Sequence, residues 1–158
     1  MLQVDLRELR HGPVEIDGKL GPADPLFEGL AVPLDGPVVV GGFLESAGHG
    51  GYFWHGRFEG RVRSACRRCL AEVVMTVAQE VDVVFSSDPE LQDDPSVYPL
   101  TEPVTHVDVR PALREELALA VDLFPLCRQD CRGLCPRCGA DLNLGACECA
   151  APAPRSDP

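Results

Sequence analysis

The sequence CRQDCRGLCPRCGADLNLGACEC (residues 127–149) carries six of the eight cysteines of this 158-residue chain, and CRRC (residues 66–69) carries the other two. Eight thiols divide into two sets of four, and four thiolates complete a closed tetrahedral zinc site. A catalytic zinc keeps one position open and usually takes histidine or carboxylate ligands. The cysteine pattern therefore predicts a metal-stapled binding module rather than an enzyme.

The spacing of the cysteines favours one division between two structural zinc ions. The four that are close enough in sequence to form a local site are Cys135, Cys138, Cys147 and Cys149. The four that would link the upstream pair to the C-terminal stretch are Cys66, Cys69, Cys127 and Cys131. Two alternatives stay open: Cys127 or Cys131 is a spare buried thiol and only one site exists, or iron takes the place of zinc.

The N-terminus and the hydropathy of the chain predict a cytoplasmic protein. Residues 1–10 are polar and charged and lack the apolar segment of a secretory signal. No apolar run reaches the roughly 18 residues of a membrane span. In a reducing cytosol, closely spaced cysteines bind metal more often than they form disulfides, and the βαβ pattern that accompanies a thioredoxin-type redox site is missing here.

Alternating residues on both sides of CRRC predict a β-hairpin with a metal-binding turn at its tip. Apolar or glycine residues alternate with polar ones before and after the turn, which is typical of strands with one buried face. The register that joins the two apolar faces sets Arg63 opposite Glu72 and His55 opposite Glu80. A slip of one residue would separate every one of these pairs.

The whole pattern predicts an α+β fold, with an antiparallel, partly barrel-like β-domain, one main helix and a small C-terminal zinc-knuckle lobe. The expected boundaries are a β-rich domain at residues 1–126, a cysteine-rich metal lobe at 127–149 and a disordered tail at 150–158.

Two segments of the β-rich domain have signatures of their own. Residues 86–105 contain four prolines and several acidic residues, which predict a long exposed loop. Asp108 is a candidate N-cap, and apolar residues at helical spacing predict a helix over 109–122.

The charge of the chain is negative overall and unevenly distributed. The net charge of -11 disfavours sequence-independent binding of nucleic acid. The basic residues that lie near cysteines in the sequence are Arg57, Arg61, Arg63, Arg67, Arg68, Arg128, Arg132 and Arg137. These arginines either offset the thiolate charge or form one cationic patch on an acidic body, and both interpretations stay open.

The sequence contains no motif of a catalytic site. A Gly-rich phosphate loop, a Gly-x-Ser-x-Gly elbow and a helical His-Glu-x-x-His are all missing. The four histidines, His11, His49, His55 and His106, have no metal-ligand spacing. We therefore expect no enzymatic activity and no small-molecule substrate.

The segment PLC at 125–127, followed by CRGLCPRCG at 131–139 and DLN at 141–143, closely resembles the C-terminal signature of the bacterial YceD family. This family is known as the large ribosomal RNA subunit accumulation protein. The resemblance extends to CRRCL at 66–70 and covers roughly residues 57–149. It implies a cytoplasmic, non-enzymatic factor in the maturation or stability of large-subunit (23S) ribosomal RNA, with the precursor of that RNA or a ribosomal protein as its partner.

Three functional hypotheses follow. In the first, a ribosome-assembly factor contacts ribosomal RNA or a large-subunit protein through its arginine-rich knuckles. In the second, a zinc-stapled adaptor binds a basic ribosomal protein without RNA contact, through the acidic loop at 86–105. In the third, the cysteines form a redox- or zinc-responsive switch.

Overall fold

A computed structural model of the chain describes residues 1–91 and 93–150. The chain divides into two compact units. Unit 1 consists of residues 1–62 and 75–121, and unit 2 consists of residues 63–74 and the segment from 122 onward. Most of the tail that was predicted to be disordered, residues 151–158, lies outside the described residues.

A five-stranded sheet dominates the fold, with the strand order β2-β3-β4-β5-β6. Its strands are β2 (Val14–Leu20), β3 (Val38–Gly48), β4 (Gly51–Ala65), β5 (Glu72–Ser86) and β6 (Val97–Pro99). Strand β3 pairs antiparallel with both β2 and β4, whereas β6 runs parallel to β5. A separate antiparallel pair joins β1 (Gln3–Asp5) to β7 (His106–Asp108).

The predicted α+β class with a mainly antiparallel sheet is confirmed. The helix α1 (Arg110–Ala120) is the one α-helix among the described residues. The sheet is open, with β2 and β6 at its edges, so the barrel-like part of the prediction is unconfirmed.

The alternation of β4 follows the predicted faces. Trp54, Phe58 and Val62 are buried, and the polar residues between them are exposed. A methyl group on Gly56 would lie 2.5 Å from the Trp54 ring, so the indole ring occupies the space that this glycine leaves. Glycine at this position therefore allows a large aromatic side chain to fill the core of the sheet.

Two predicted cross-strand pairs can be compared with the structure. Arg63 Nε lies 3.7 Å from Glu72 Oε2, as the register predicts. His55 Nδ1 instead lies 2.7 Å from Asp82 Oδ1, whereas the prediction set it opposite Glu80. In the predicted register Asp82 is a diagonal neighbour of His55, and diagonal neighbours on one face of a sheet can be close enough for their side chains to interact.

The helix and the proline-rich loop differ in part from the prediction. Helix α1 is shorter than the expected 109–122 and ends at Ala120. The N-cap residue is Val109 and not the predicted Asp108, although Asp108 Oδ1 accepts a hydrogen bond from the Arg110 N–H at 3.0 Å. Within 86–105, β6 interrupts the expected loop and extends the sheet.

Candidate metal centres

Four cysteine sulfurs of unit 2 converge in a cluster that we call site A, formed by Cys66, Cys69, Cys127 and Cys131. All four sulfurs lie within 4.8 Å of one another. The Cys66 and Cys131 sulfurs are 3.8 Å apart, and those of Cys69 and Cys127 are 3.6 Å apart. A tetrahedron with metal–sulfur bonds of about 2.3 Å has edges of about 3.8 Å, so these sulfurs already have the spacing of a four-thiolate metal site.

Backbone hydrogen bonds hold the two halves of site A together. The Arg67 N–H donates to the Pro125 carbonyl at 2.9 Å, and the Leu134 N–H donates to the Arg68 carbonyl at 3.2 Å. Gly133 has φ 74°, and a Cβ there would lie 3.0 Å from the Arg68 carbonyl oxygen. Glycine is needed at this point because the backbone turns through positive φ against another carbonyl.

The remaining four cysteines form site B, also in unit 2, which consists of Cys135, Cys138, Cys147 and Cys149. Their sulfurs likewise lie within 4.8 Å of one another. The two tetrads are the groups that the spacing of the cysteines favoured. The alternative in which Cys127 or Cys131 is a spare thiol does not fit this arrangement, because both sulfurs belong to site A.

The Cys-x-x-Cys turns of the two sites, which we call knuckles, have the same backbone hydrogen bonds. The Cys66 N–H donates to the Ala71 carbonyl, and the Leu70 N–H donates back to the Cys66 carbonyl, at 2.8 and 2.9 Å. In site B, Cys135 pairs in the same way with Ala140 and Gly139, also at 2.8 and 2.9 Å. Such turns direct both sulfurs of a pair to one point, which is the local geometry that a metal ion requires.

The thiols of site A differ in their acidity. Burial raises the pKa of Cys66, but N–H groups of Cys127, Cys69 and Arg68 outweigh burial and lower that pKa to about 6. The hydrogen bond with Cys69 and burial together raise the pKa of Cys127 to about 12. Four clustered sulfurs therefore do not all ionise at neutral pH unless a cation compensates their charge.

The thiols of site B also differ in their acidity. N–H groups of Cys138 and Arg137 lower the pKa of Cys135 to about 6. A hydrogen bond with Cys138 raises the pKa of Cys149 to about 11. Each cluster thus contains both lowered and raised thiol pKa values, and a divalent ion would displace the protons that remain.

The eight candidate contact arginines are all exposed, and they are divided between the units. Unit 1 contains Arg57 and Arg61, of which Arg61 forms an ion pair with Asp35 at 2.8 Å. Unit 2 contains the other six, which are Arg63, Arg67, Arg68, Arg128, Arg132 and Arg137.

Some arginines of unit 2 contact the segments that carry the metal ligands, and others have no partner among the described residues. Arg68 donates to the Cys131 carbonyl at 2.8 Å, and Arg128 lies 3.4 Å from Asp130. Within residues 1–91 and 93–150, the guanidinium groups of Arg67, Arg132 and Arg137 have no hydrogen-bond or ion-pair partner. The interpretation of these arginines as one cationic patch stays a prediction.

No helix in the described part of the chain is long and apolar enough to cross a membrane. The fold and the two tetrads define a mainly β protein with two closed four-cysteine clusters suited to structural metal ions. Residues 54–158 match the family described as "Large ribosomal RNA subunit accumulation protein YceD". This match covers more than half of the sequence, so the chain belongs to the YceD family, and the resemblance noted in its cysteine motifs is confirmed.

A curated plant protein is also similar to part of the chain. It is "Large ribosomal RNA subunit accumulation protein YCED homolog 1, chloroplastic" from Arabidopsis thaliana, and it is 33% identical over 46 residues. This segment is 29% of the present chain and 14% of the plant protein. No solved structure matches the chain.

Proposed function

We propose that the chain is a non-enzymatic, zinc-binding factor in the accumulation and maturation of large-subunit (23S) ribosomal RNA. Its membership of the YceD family links it to accumulation of that RNA. The observation that carries the finer proposal is that unit 2 combines two clusters of four thiols, each within 4.8 Å of one another, with arginines that have no partner among the described residues. In this proposal the metal ions hold the shape of unit 2, and the arginines contact the RNA or an assembling particle that contains it.

The donor set favours structural zinc at both sites. Each tetrad supplies four sulfur ligands and leaves no open coordination position for a water or a substrate, which is typical of structural rather than catalytic zinc. Structural zinc binding contributes about 10–16 kcal/mol to the folding of small domains at neutral pH. The described part of unit 2 has little apolar burial to stabilise it, because its buried cluster consists of three cysteines with Val73, Leu126 and Leu134 packed against them.

The charge distribution makes unit 2 much less acidic than unit 1, which favours unit 2 over unit 1 as the surface that meets RNA. The sequence ranges of unit 1 contain seven Lys and Arg against 19 Asp and Glu, a net charge of -12. The ranges of unit 2 contain seven arginines against six acidic residues, a net charge of +1 with neutral thiols. Two four-thiolate zinc sites add four negative charges, so contact with phosphate depends on the unpaired guanidinium groups.

The same distribution favours a second candidate function. A unit with a net charge of -12 suits a basic ribosomal protein, and the factor would then be a zinc-stapled adaptor that makes no RNA contact. Either function belongs in a reducing compartment, because four-thiolate metal sites need cysteines that are not oxidised to disulfides. We propose the cytoplasm.

Charge reversal tests whether the arginines of unit 2 contact ribosomal RNA. We expect Arg67→Glu with Arg137→Glu to weaken co-sedimentation with precursor large-subunit particles. The salt dependence of association should fall by about one unit of slope for each lost phosphate contact. The control is Arg10→Glu with Lys19→Glu, which changes the net charge equally on exposed residues of unit 1.

Equal effects of the two double variants, or no effect of the unit 2 variant, would contradict the RNA surface. Crosslinks from the acidic residues of unit 1 to a basic ribosomal protein, with none to RNA, would then favour the adaptor.

A further inference from the structure

Asn143 lies in the loop that connects the two cysteine pairs of site B, but its side chain reaches site A. Its Nδ2 group donates to the Cys131 sulfur at 3.4 Å and to Asp141 Oδ1 at 2.7 Å. Its Oδ1 accepts from the Arg132 N–H at 2.8 Å and from Arg128 Nη2 at 2.9 Å. This one amide thus links the loop of one tetrad to a ligand sulfur of the other.

The hydrogen-bond network fixes the orientation of the amide. A side-chain amide offers two N–H donors and two acceptor lone pairs, and here all four have a partner. The opposite orientation would set the carbonyl oxygen against the Asp141 carboxylate and the NH₂ group against two donors. Asn143 therefore presents an N–H group to the Cys131 sulfur, and no other orientation satisfies its neighbours.

The loop that carries Asn143 is closed at both ends by cysteines of site B. Cys138 precedes it and Cys147 follows it, and both sulfurs belong to the site B tetrad. Inside the loop, Asp141 Oδ1 also accepts the Asn143 backbone N–H at 2.8 Å. An ion in site B would hold the two ends of the loop, which lowers the entropy cost of placing the amide beside Cys131.

We infer that Asn143 couples the two metal sites, so that an ion in site B increases the affinity of site A for its own ion. The inference rests on the metal sites of the proposed function and adds cooperative loading to them. An N–H group directed at a ligand sulfur stabilises the thiolate that binds the ion, as other groups next to metal ligands do. By thermodynamic reciprocity, the ion in site A must increase the affinity of site B by the same factor.

A thermodynamic cycle on the full chain tests the coupling with Cd²⁺ as the probe ion. Cadmium-113 NMR distinguishes the two sites, Cys149→Ser identifies the site B resonance, and competition with a chelator gives the affinity of site A. We expect Cys149→Ser to weaken site A about tenfold when Asn143 is present, within the range of measured couplings and ligand-neighbour effects. In the Asn143→Ala background, Cys149→Ser should leave the affinity of site A unchanged.

Asn143→Asp separates the N–H donation from a purely structural role. This variant keeps an oxygen for Arg128 and Arg132 but sets a carboxylate oxygen against the Cys131 sulfur. We expect it to weaken site A at least as much as Asn143→Ala and to shift the site A cadmium resonance. The control is Leu144→Ala, because Leu144 is in the same loop and its side chain is 89% exposed.

The possible results distinguish this inference from the proposed function. An Asn143→Asp variant whose site A affinity equals that of the original protein would overturn the coupling. The coupling would also be overturned if the losses of site A affinity caused by Asn143→Ala and Cys149→Ser multiply in the double variant. In both cases two bound ions per chain would leave the proposed function intact. If neither site of the original protein binds an ion, the metal part of the proposed function fails together with this inference.

Discussion

At the residue scale, different residues adopt the same backbone conformation in the two knuckles. The residue that follows the second cysteine has positive φ in both, 62° at Leu70 and 73° at Gly139. Glycine adopts this conformation without steric cost, whereas a residue with a Cβ loses about 1–2 kcal/mol there. Leu70 is 67% exposed, so burial of its side chain compensates little of that cost.

We expect Gly139→Ala to destabilise the metal-loaded protein by about 1 kcal/mol, through backbone strain alone. No heavy atom lies within 4 Å of the position where the added methyl group would be, so a clash is excluded. The reciprocal change, Leu70→Gly, should be neutral or stabilising. Hydrogen exchange of unit 2 amides measures both effects, and a Gly139→Ala protein as stable as the original would contradict the role of positive φ.

The sequence was sufficient to predict some residues of the site and insufficient for others. The tetrads could be chosen from spacing, because four of the eight cysteines are close enough in sequence to form a local site and the other four remain for the second site. A glycine such as Gly139 signals a possible positive φ in the sequence, whereas Leu70 carries no such signal. The contact of Asn143 with Cys131 depends on where two loops meet, which local sequence does not encode.

At the scale of elements, periodic patterns were reliable and short strands were not. Strand β4 alternates from Trp54 to Arg63, so its buried face could be predicted from the sequence. Strand β6 has only three residues in a proline-rich segment, and its pairing with β5 is a long-range contact without a local pattern. The segment was therefore expected to be a loop throughout.

We expect Gly56→Ala to destabilise unit 1 by about 1–3 kcal/mol, which is the usual cost of overpacking a core. The added methyl group would lie 2.5 Å from the Trp54 ring, which is fully buried and cannot move without displacing its neighbours. The matched control is Gly21→Ala, since no heavy atom lies within 4 Å of its added methyl group. Urea denaturation followed by tryptophan fluorescence compares the two, and equal midpoints would refute the packing argument.

At the scale of the whole molecule, the two units differ in the interactions that stabilise each of them internally. Unit 1 has an extensive buried cluster that includes Trp54, Phe85, Leu113 and Leu117. The buried cluster of unit 2 is small and consists largely of cysteines. A segment with so little apolar burial needs another source of stability, and metal ions are the common one in small folds.

Metal removal should therefore affect the two units differently. Native mass spectrometry of the purified protein should show two zinc ions per chain, and a strong chelator should remove both. We expect fast hydrogen exchange throughout unit 2 after chelation, because about 10–16 kcal/mol of binding free energy per structural site is then lost. The emission of Trp54, the single tryptophan of the chain and part of unit 1, should stay unchanged because its core contains no metal ligand. A shift of that emission to longer wavelength on chelation would show that unit 1 also depends on the ions, and protected amides in metal-free unit 2 would show that the ions are dispensable for its fold.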